Sequence, residues 1–132
     1  MQFLTLYLVS VPIFVLLDLL WLGVLARDFY QTRLAALLGP VQWSAAVCFY
    51  LIFIAGLTYF ATMPGVASGS LLRTALLGAG FGFVAYATYD LTNLATLRDW
   101  PLGLKVVDMA WGAVLGAAVA SGAHVLVRTL PL

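Results

Sequence analysis

Charge is scarce in this sequence. Asp, Glu, Lys and Arg make up 8% of its 132 residues, where soluble domains carry about 25%. So few charged groups cannot form a water-facing surface. With 64% hydrophobic residues and a mean hydropathy of +1.09, the composition is that of an integral membrane protein. The net charge of +1 gives no basic field for nucleic acid, so no nucleic-acid partner is expected. The single cysteine, Cys48, excludes an internal disulfide and any multi-cysteine metal site. It lies in an apolar run and reads as a small core residue. With His124 as the one histidine, side chains alone cannot make a conventional zinc or haem site. The HExxH, CxxC, GxSxG, Rossmann-type GxGxxG and Walker lysine motifs are all missing. No cofactor and no metal are expected.

Long apolar runs are abundant. A membrane helix needs about 20 mainly apolar residues, and four segments qualify: about 3–26, 41–61, 71–96 and 104–127. Gly39-Pro40 closes the first loop, Met63-Pro64-Gly65 opens the second, and Trp100-Pro101 breaks the third. Short connections make sequence neighbours antiparallel. The expectation is all-α: a single transmembrane domain over residues 1–132, folded as an up-down four-helix bundle. Pro12 falls inside the first span, where membrane helices tolerate it. Met1-Gln2-Phe3 lacks a basic stretch and the first run contains Asp18, so this span is read as retained rather than as a cleaved signal. Arg27, Arg33, Arg98 and Lys105 flank loops one and three, against Arg73 and Arg128 on the other side. That bias puts loops one and three in the cytoplasm and both termini outside. Trp43 and Trp100 suit an aromatic belt on the same side.

The intramembrane carboxylates share one layer. Asp18 stands about eight residues before its span end, about 12 Å deep at 1.5 Å per residue. Asp90 is about 9 Å deep and Asp108 about 6 Å, all measured from the loop-one and loop-three face. Asn93 is one turn shallower than Asp90, and Gln42 opens the second span on this side. The other half holds His124, Thr58 and Tyr59. His124, near the membrane edge, reads as structural or interfacial. It also lies too far in depth from Cys48 for a nucleophilic pair.

Burial of an Asp at a helix centre costs about 2.5 to 3.5 kcal/mol on insertion scales, and less towards the interface. Such groups face the bundle interior or a wet cavity. Arg98, Lys105 and Arg27 are the cations on the same side, and an Asp–Arg or Asp–Lys network capped by loop three would offset the cost. Three carboxylates with Asn93 offer oxygen ligands to Mg²⁺ or Ca²⁺, but they are spread over three helices and no metal site is assigned. The bland alternative is polar glue. Asp18 precedes Trp21 by three residues and Asp108 precedes Trp111 by three, a spacing that shares a helix face. Each carboxylate can then accept an indole N–H. Interhelical hydrogen bonds of this kind average about 0.6 kcal/mol, small beside the burial cost. The layer therefore reads as a pocket, with Asp90, Asp108 and Asp18 as candidate catalytic groups.

Gly78 and Gly82 stand four apart on span three, and that row continues to Tyr86 and Asp90. On span four, Gly112 and Gly116 follow Asp108 at the same spacing, then Ala120 and His124. Small residues at this interval let membrane helices approach closely. Each row runs from a tight contact into an acidic residue. Tyr86, Asp90 and Asn93 share a face and form the expected pocket wall, while Tyr89 and Thr92 are expected to look elsewhere. Trp21, Trp111, Tyr86, Asn93, Arg98 and Lys105 complete the expected substrate-binding set.

The run YDLTNLATLRDWP followed by DMAWG, together with the early DLLW, resembles the small bacterial membrane proteins known as domain of unknown function 2177. The likeness covers essentially the whole chain. It implies a four-helix inner-membrane protein in the company of lipid-modifying enzymes, and it brings no catalytic residues with it. Three functions compete. One is an enzyme or enzyme subunit acting on a lipid or isoprenoid, with Asp90 or Asp108 as general acid or base. Another is a proton-coupled carrier using the carboxylates as a relay, although the two halves match poorly as inverted repeats. The last is a passive assembly partner. Binding or modification of a membrane-soluble, lipid-like substrate is the leading expectation. Membrane lipids, a second copy or another membrane protein are the expected partners.

Overall fold

A computed structural model of the protein describes residues 2–21, 23, 43–96 and 102–130. It contains four long helices: α1 (Gln2–Leu20), α2 (Trp43–Ser68), α3 (Leu71–Thr96) and α4 (Leu102–Thr129). Each is long and apolar enough to cross a membrane, and no strand occurs among the described residues. The all-α, four-span organisation expected from the hydropathy pattern is thus the observed one. Gly39-Pro40, Trp100-Pro101 and the cations Arg27, Arg33 and Arg98 lie outside the described residues.

Helix α1 runs unbroken through Pro12. Helix α2 departs from the sequence expectation. Met63-Pro64-Gly65 was expected to open a loop, yet the helix continues to Ser68 and ends at Gly69, whose φ of 74° is left-handed. The reason lies one turn earlier. Residues Thr58–Thr62 form a π-helical turn, closed by the Met63 N–H donating to the Thr58 carbonyl. The wider turn disturbs the regular ladder, and Pro64 follows it at the start of a new helical stretch, where its missing N–H does least harm. Thr58 and Thr62 donate their hydroxyls back to the Ile54 and Leu57 carbonyls, which keeps backbone acceptors satisfied where no water is at hand. The second connection shrinks to Gly69–Ser70. Ser70 Oγ accepts the Arg73 N–H at 3.1 Å and caps α3.

Between helices in lipid, close packing replaces the hydrophobic effect as the main attraction. The closest pairing is α3 with α4. A Cβ on Gly82 would collide with the Gly112 carbonyl oxygen, and one on Gly116 with the Gly78 carbonyl oxygen. The two glycine rows therefore meet backbone to backbone, antiparallel. Helix α1 lies against α4 with the same sense, Ile13 beside Gly122 and Asp18 beside Trp111. The core joins Phe14 of α1, Phe53, Ile54, Leu57 and Ala61 of α2, and Leu115, Val119 and Ala120 of α4. Phe81 and Tyr86 of α3 pack on its rim, each against Phe53.

Candidate functional site

The end of α1, the first half of α2, the last turns of α3 and the first turns of α4 come together at the loop-one and loop-three end. Depth along each helix dictates this: antiparallel neighbours bring Asp18, Asp90 and Asp108 to one level. All three are withdrawn from the surface, at 4%, 0% and 9% exposure. Asp18 lies within electrostatic reach of Asp108, and Asp108 of Asp90. The structure thus gathers the three carboxyl groups that the sequence placed in one layer.

Their surroundings differ. Asp18 is fully engaged. The Tyr50 hydroxyl of α2 donates to its Oδ2 at 2.6 Å, and the Trp111 indole of α4 donates to its Oδ1 across a longer 3.5 Å. One carboxylate therefore ties three helices together. Trp21 stacks on Trp111 with ring centroids 4.4 Å apart and planes 6° from parallel. The two Asp-x-x-Trp segments, one from α1 and one from α4, meet through Trp111, which contacts both Asp18 and Trp21.

Asp90 has no such support. It is completely buried, and no hydroxyl, indole or amide group donates to either of its carboxyl oxygens. Its near neighbour is Asp108, at hydrogen-bond distance, so that the two carboxyl groups can share a proton. The Lys105 ammonium, in the first turns of α4, is near enough for its charge to act on Asp90. Around this pair stand the remaining expected residues. Tyr86 packs over Gly112 and edges Phe49 and Phe53. Asn93 is half-buried and within hydrogen-bond reach of the Tyr89 hydroxyl. Arg98 lies outside the described residues. Among the described residues no group of three His, Cys, Asp or Glu side chains is placed to hold a metal ion.

Two residues belong here that sequence reasoning set aside. Tyr89 was expected to face lipid or another neighbour. It is more than half exposed, as that expectation has it, and its phenol is also within electrostatic reach of Asp108 and Asp90. A long aromatic side chain reaches past the face its Cα occupies, and the i, i+4 pairing with Asn93 holds it there. Tyr50 received no role, although its position seven residues into α2 puts it about 10 Å deep, level with Asp18. The depth argument applied to carboxylates would have found it if applied to hydroxyls.

At the opposite end, His124 is buried and bonded on both ring nitrogens. Its Nδ1 lies 2.7 Å from Thr74 Oγ1 and its Nε2 3.4 Å from Arg128 Nη1. Arginine only donates, so Nε2 accepts and the Nδ1–H donates to Thr74, whose hydroxyl passes on to the Ser70 carbonyl. Arg128 also donates to the Gly69 carbonyl. This chain fastens α4 to the α2–α3 turn, the structural role expected for His124. An open apolar groove of about 450 Å³, lined by Gln2, Tyr59, Phe60, Met63, Pro64 and Ala67, lies at this same end, far from the carboxylates.

No curated protein and no solved structure matches the chain. Residues 3–125 match the family described as Predicted membrane protein (DUF2177). That match spans nearly all of the sequence, including the Asp-x-x-Trp segments and the stretch from Tyr89 to Gly112, and the chain belongs to the DUF2177 family of predicted membrane proteins.

Proposed function

We propose that this protein binds, and in the fullest form of the reading modifies, a membrane-soluble, lipid-like substrate at the Asp90–Asp108 pair. The observation that carries the reading is Asp90. A carboxylate ties helices together through the hydroxyl, indole and amide donors it accepts from, and Asp90 has none of these, only the carboxyl group of Asp108. Its burial therefore brings cost without a packing return, which is the mark of a group kept for a ligand. Asp18 is the contrast, since its two donors explain its presence structurally. The apolar character of the ligand is supported by the setting: the pair lies within membrane-spanning helices, with Tyr86 packed over Gly112 and the Trp21–Trp111 stack beside Asp18 in the same layer. Asp90 or Asp108 would act as the proton-handling group if chemistry occurs. We further propose that the protein sits in the bacterial inner membrane, with the acidic end towards the cytoplasm by the Lys and Arg bias.

The test is an untargeted lipid and pigment profile of a deletion strain, restored with the native gene or with Asp90→Asn, with membrane abundance checked in parallel. A species that changes on deletion and returns only with the native gene is the expected result. An unchanged profile removes the lipid reading. Rescue by Asp90→Asn makes the carboxylate charge dispensable and leaves it a polar tie.

A further inference from the structure

The end of the bundle that carries the α2–α3 turn has cations and, among the described residues, no Asp or Glu. Asp18, Asp90 and Asp108 all lie at the other end. Arg73 stands in the first turn of α3 and Arg128 in the last turn of α4, and both are exposed. Arg128 is anchored against the turn, its Nη1 donating to the Gly69 carbonyl and to His124 Nε2, each at 3.4 Å. Its guanidinium fork has further N–H groups to offer an anion. Two residues before Gly69, Ala67 forms one end of the apolar groove that Gln2, Tyr59, Phe60, Met63 and Pro64 complete. Gln2 and Ala67 stand at helix ends, level with the two arginines. Tyr59 lies eight residues down α2 from Ala67, about 12 Å deeper into the membrane.

The length of the groove decides what fits it. One leaflet of hydrocarbon is about 15 Å thick, half of the bilayer core. A helix of a second copy or of another protein crosses both leaflets and would need a contact twice as long. The groove belongs to one leaflet, and its deep end is built from Tyr59 and Phe60, rings 61% and 63% exposed that face the bilayer. We propose that it seats an acyl chain of an anionic glycerophospholipid, with Arg73 and Arg128 holding the phosphate at the rim. Charge complementarity selects the head group. A phosphate diester brings the negative charge and the acceptor oxygens that guanidinium forks match. A zwitterionic head would bring a second cation against two arginines, with no Asp or Glu among the described residues to receive it. This site lies at the opposite end from Asp90 and stands apart from the substrate reading made there.

The experiment uses the full chain in detergent micelles, titrated with phosphatidylglycerol or with phosphatidylcholine of the same acyl chains, and bound lipid is counted by native mass spectrometry. Saturable binding of phosphatidylglycerol is expected, with phosphatidylcholine clearly weaker. Arg73→Gln and Arg128→Gln should each weaken phosphatidylglycerol about five-fold, the worth of one cation near an anionic lipid surface, and leave phosphatidylcholine unchanged. Ala67→Phe fills the groove from an exposed position and should weaken both lipids. Arg128 also fastens the turn, so Arg73→Gln carries the charge test should Arg128→Gln fail to assemble. Equal binding of the two lipids by the native protein overturns the head-group assignment. Phosphatidylglycerol binding indifferent to Ala67→Phe overturns the groove. A dimer that Ala67→Phe dissociates gives the groove to a second copy and overturns the proposal. Asp90→Asn should leave all these readings as they are, so this site and the Asp90 reading fail separately.

Discussion

Asp18 and Asp90 bring the same chemical group to the same half of the bundle, and their partners separate them. Asp18 collects a 2.6 Å hydroxyl donor from Tyr50 and a longer indole donor from Trp111. Removing the hydroxyl with Tyr50→Phe leaves Asp18 with the weaker bond only. We expect a loss of about 1–3 kcal/mol, the cost of stranding a buried acceptor, measured by reversible unfolding in mixed micelles. Asp90→Asn should leave stability unchanged or raise it, because no hydroxyl, indole or amide donor is stranded and the new amide can donate to Asp108 in place of a second buried carboxyl group. A loss in Asp90→Asn as large as in Tyr50→Phe would make Asp90 a structural tie and undercut its reading as a ligand group. The layer of carboxylates was legible from residue counting, because antiparallel spans share a depth scale. The difference between Asp18 and Asp90 was not. It depends on which side chains of other helices arrive beside each, and Tyr50 is 32 residues away in the chain.

At the scale of elements, the α3–α4 seam is the tightest in the molecule. The rows Gly78–Gly82 and Gly112–Gly116 were visible in the sequence as four-residue repeats, and the structure puts them face to face with no room for a Cβ. Gly82→Ala or Gly116→Ala would drive a methyl group into a backbone carbonyl of the partner helix. The neighbour cannot rotate away, so the helices must separate, at about 1–3 kcal/mol. Gly80, on the same helix, has open space around its Cα. Gly80→Ala should stay within about 0.5 kcal/mol of native. Equal effects from all three would show that the glycine rows do not set the helix spacing. The π turn at Thr58–Thr62 lies at this scale too. Proline reads as punctuation in a linear pattern, but a preceding wide turn lets the helix absorb it. Nothing in a hydropathy profile announces that turn.

For the whole molecule, orientation is the property with the largest consequence, since it decides from which leaflet the acidic end is reached. Arg27, Arg33, Arg98 and Lys105 against Arg73 and Arg128 predict that the α2–α3 turn and both termini lie outside. In a Cys48→Ala background, Leu130→Cys should react with a membrane-impermeant maleimide in spheroplasts. Leu130 lies just past α4 and is exposed. Reaction only after the membrane is opened would reverse the assignment and put the carboxylate layer near the outer leaflet.

Composition and hydropathy alone determined the membrane class, the number of spans and the depth of each polar residue. These follow from one dimension: a bilayer needs about 20 apolar residues per crossing, and rise per residue converts position into depth. The tertiary structure decided which of those level groups touch. It joined the two Asp-x-x-Trp segments through Trp21 and Trp111, gave Asp18 its donors, put Tyr89 within electrostatic reach of the acidic pair and set Asp90 against Asp108 alone. The physical reason is rotation. Depth is set along a helix axis by residue number, whereas contact across helices is set by the azimuth of each face. Packing at the glycine seam and around Phe14 and Phe53 fixes that azimuth, and it does so only once the helices are assembled.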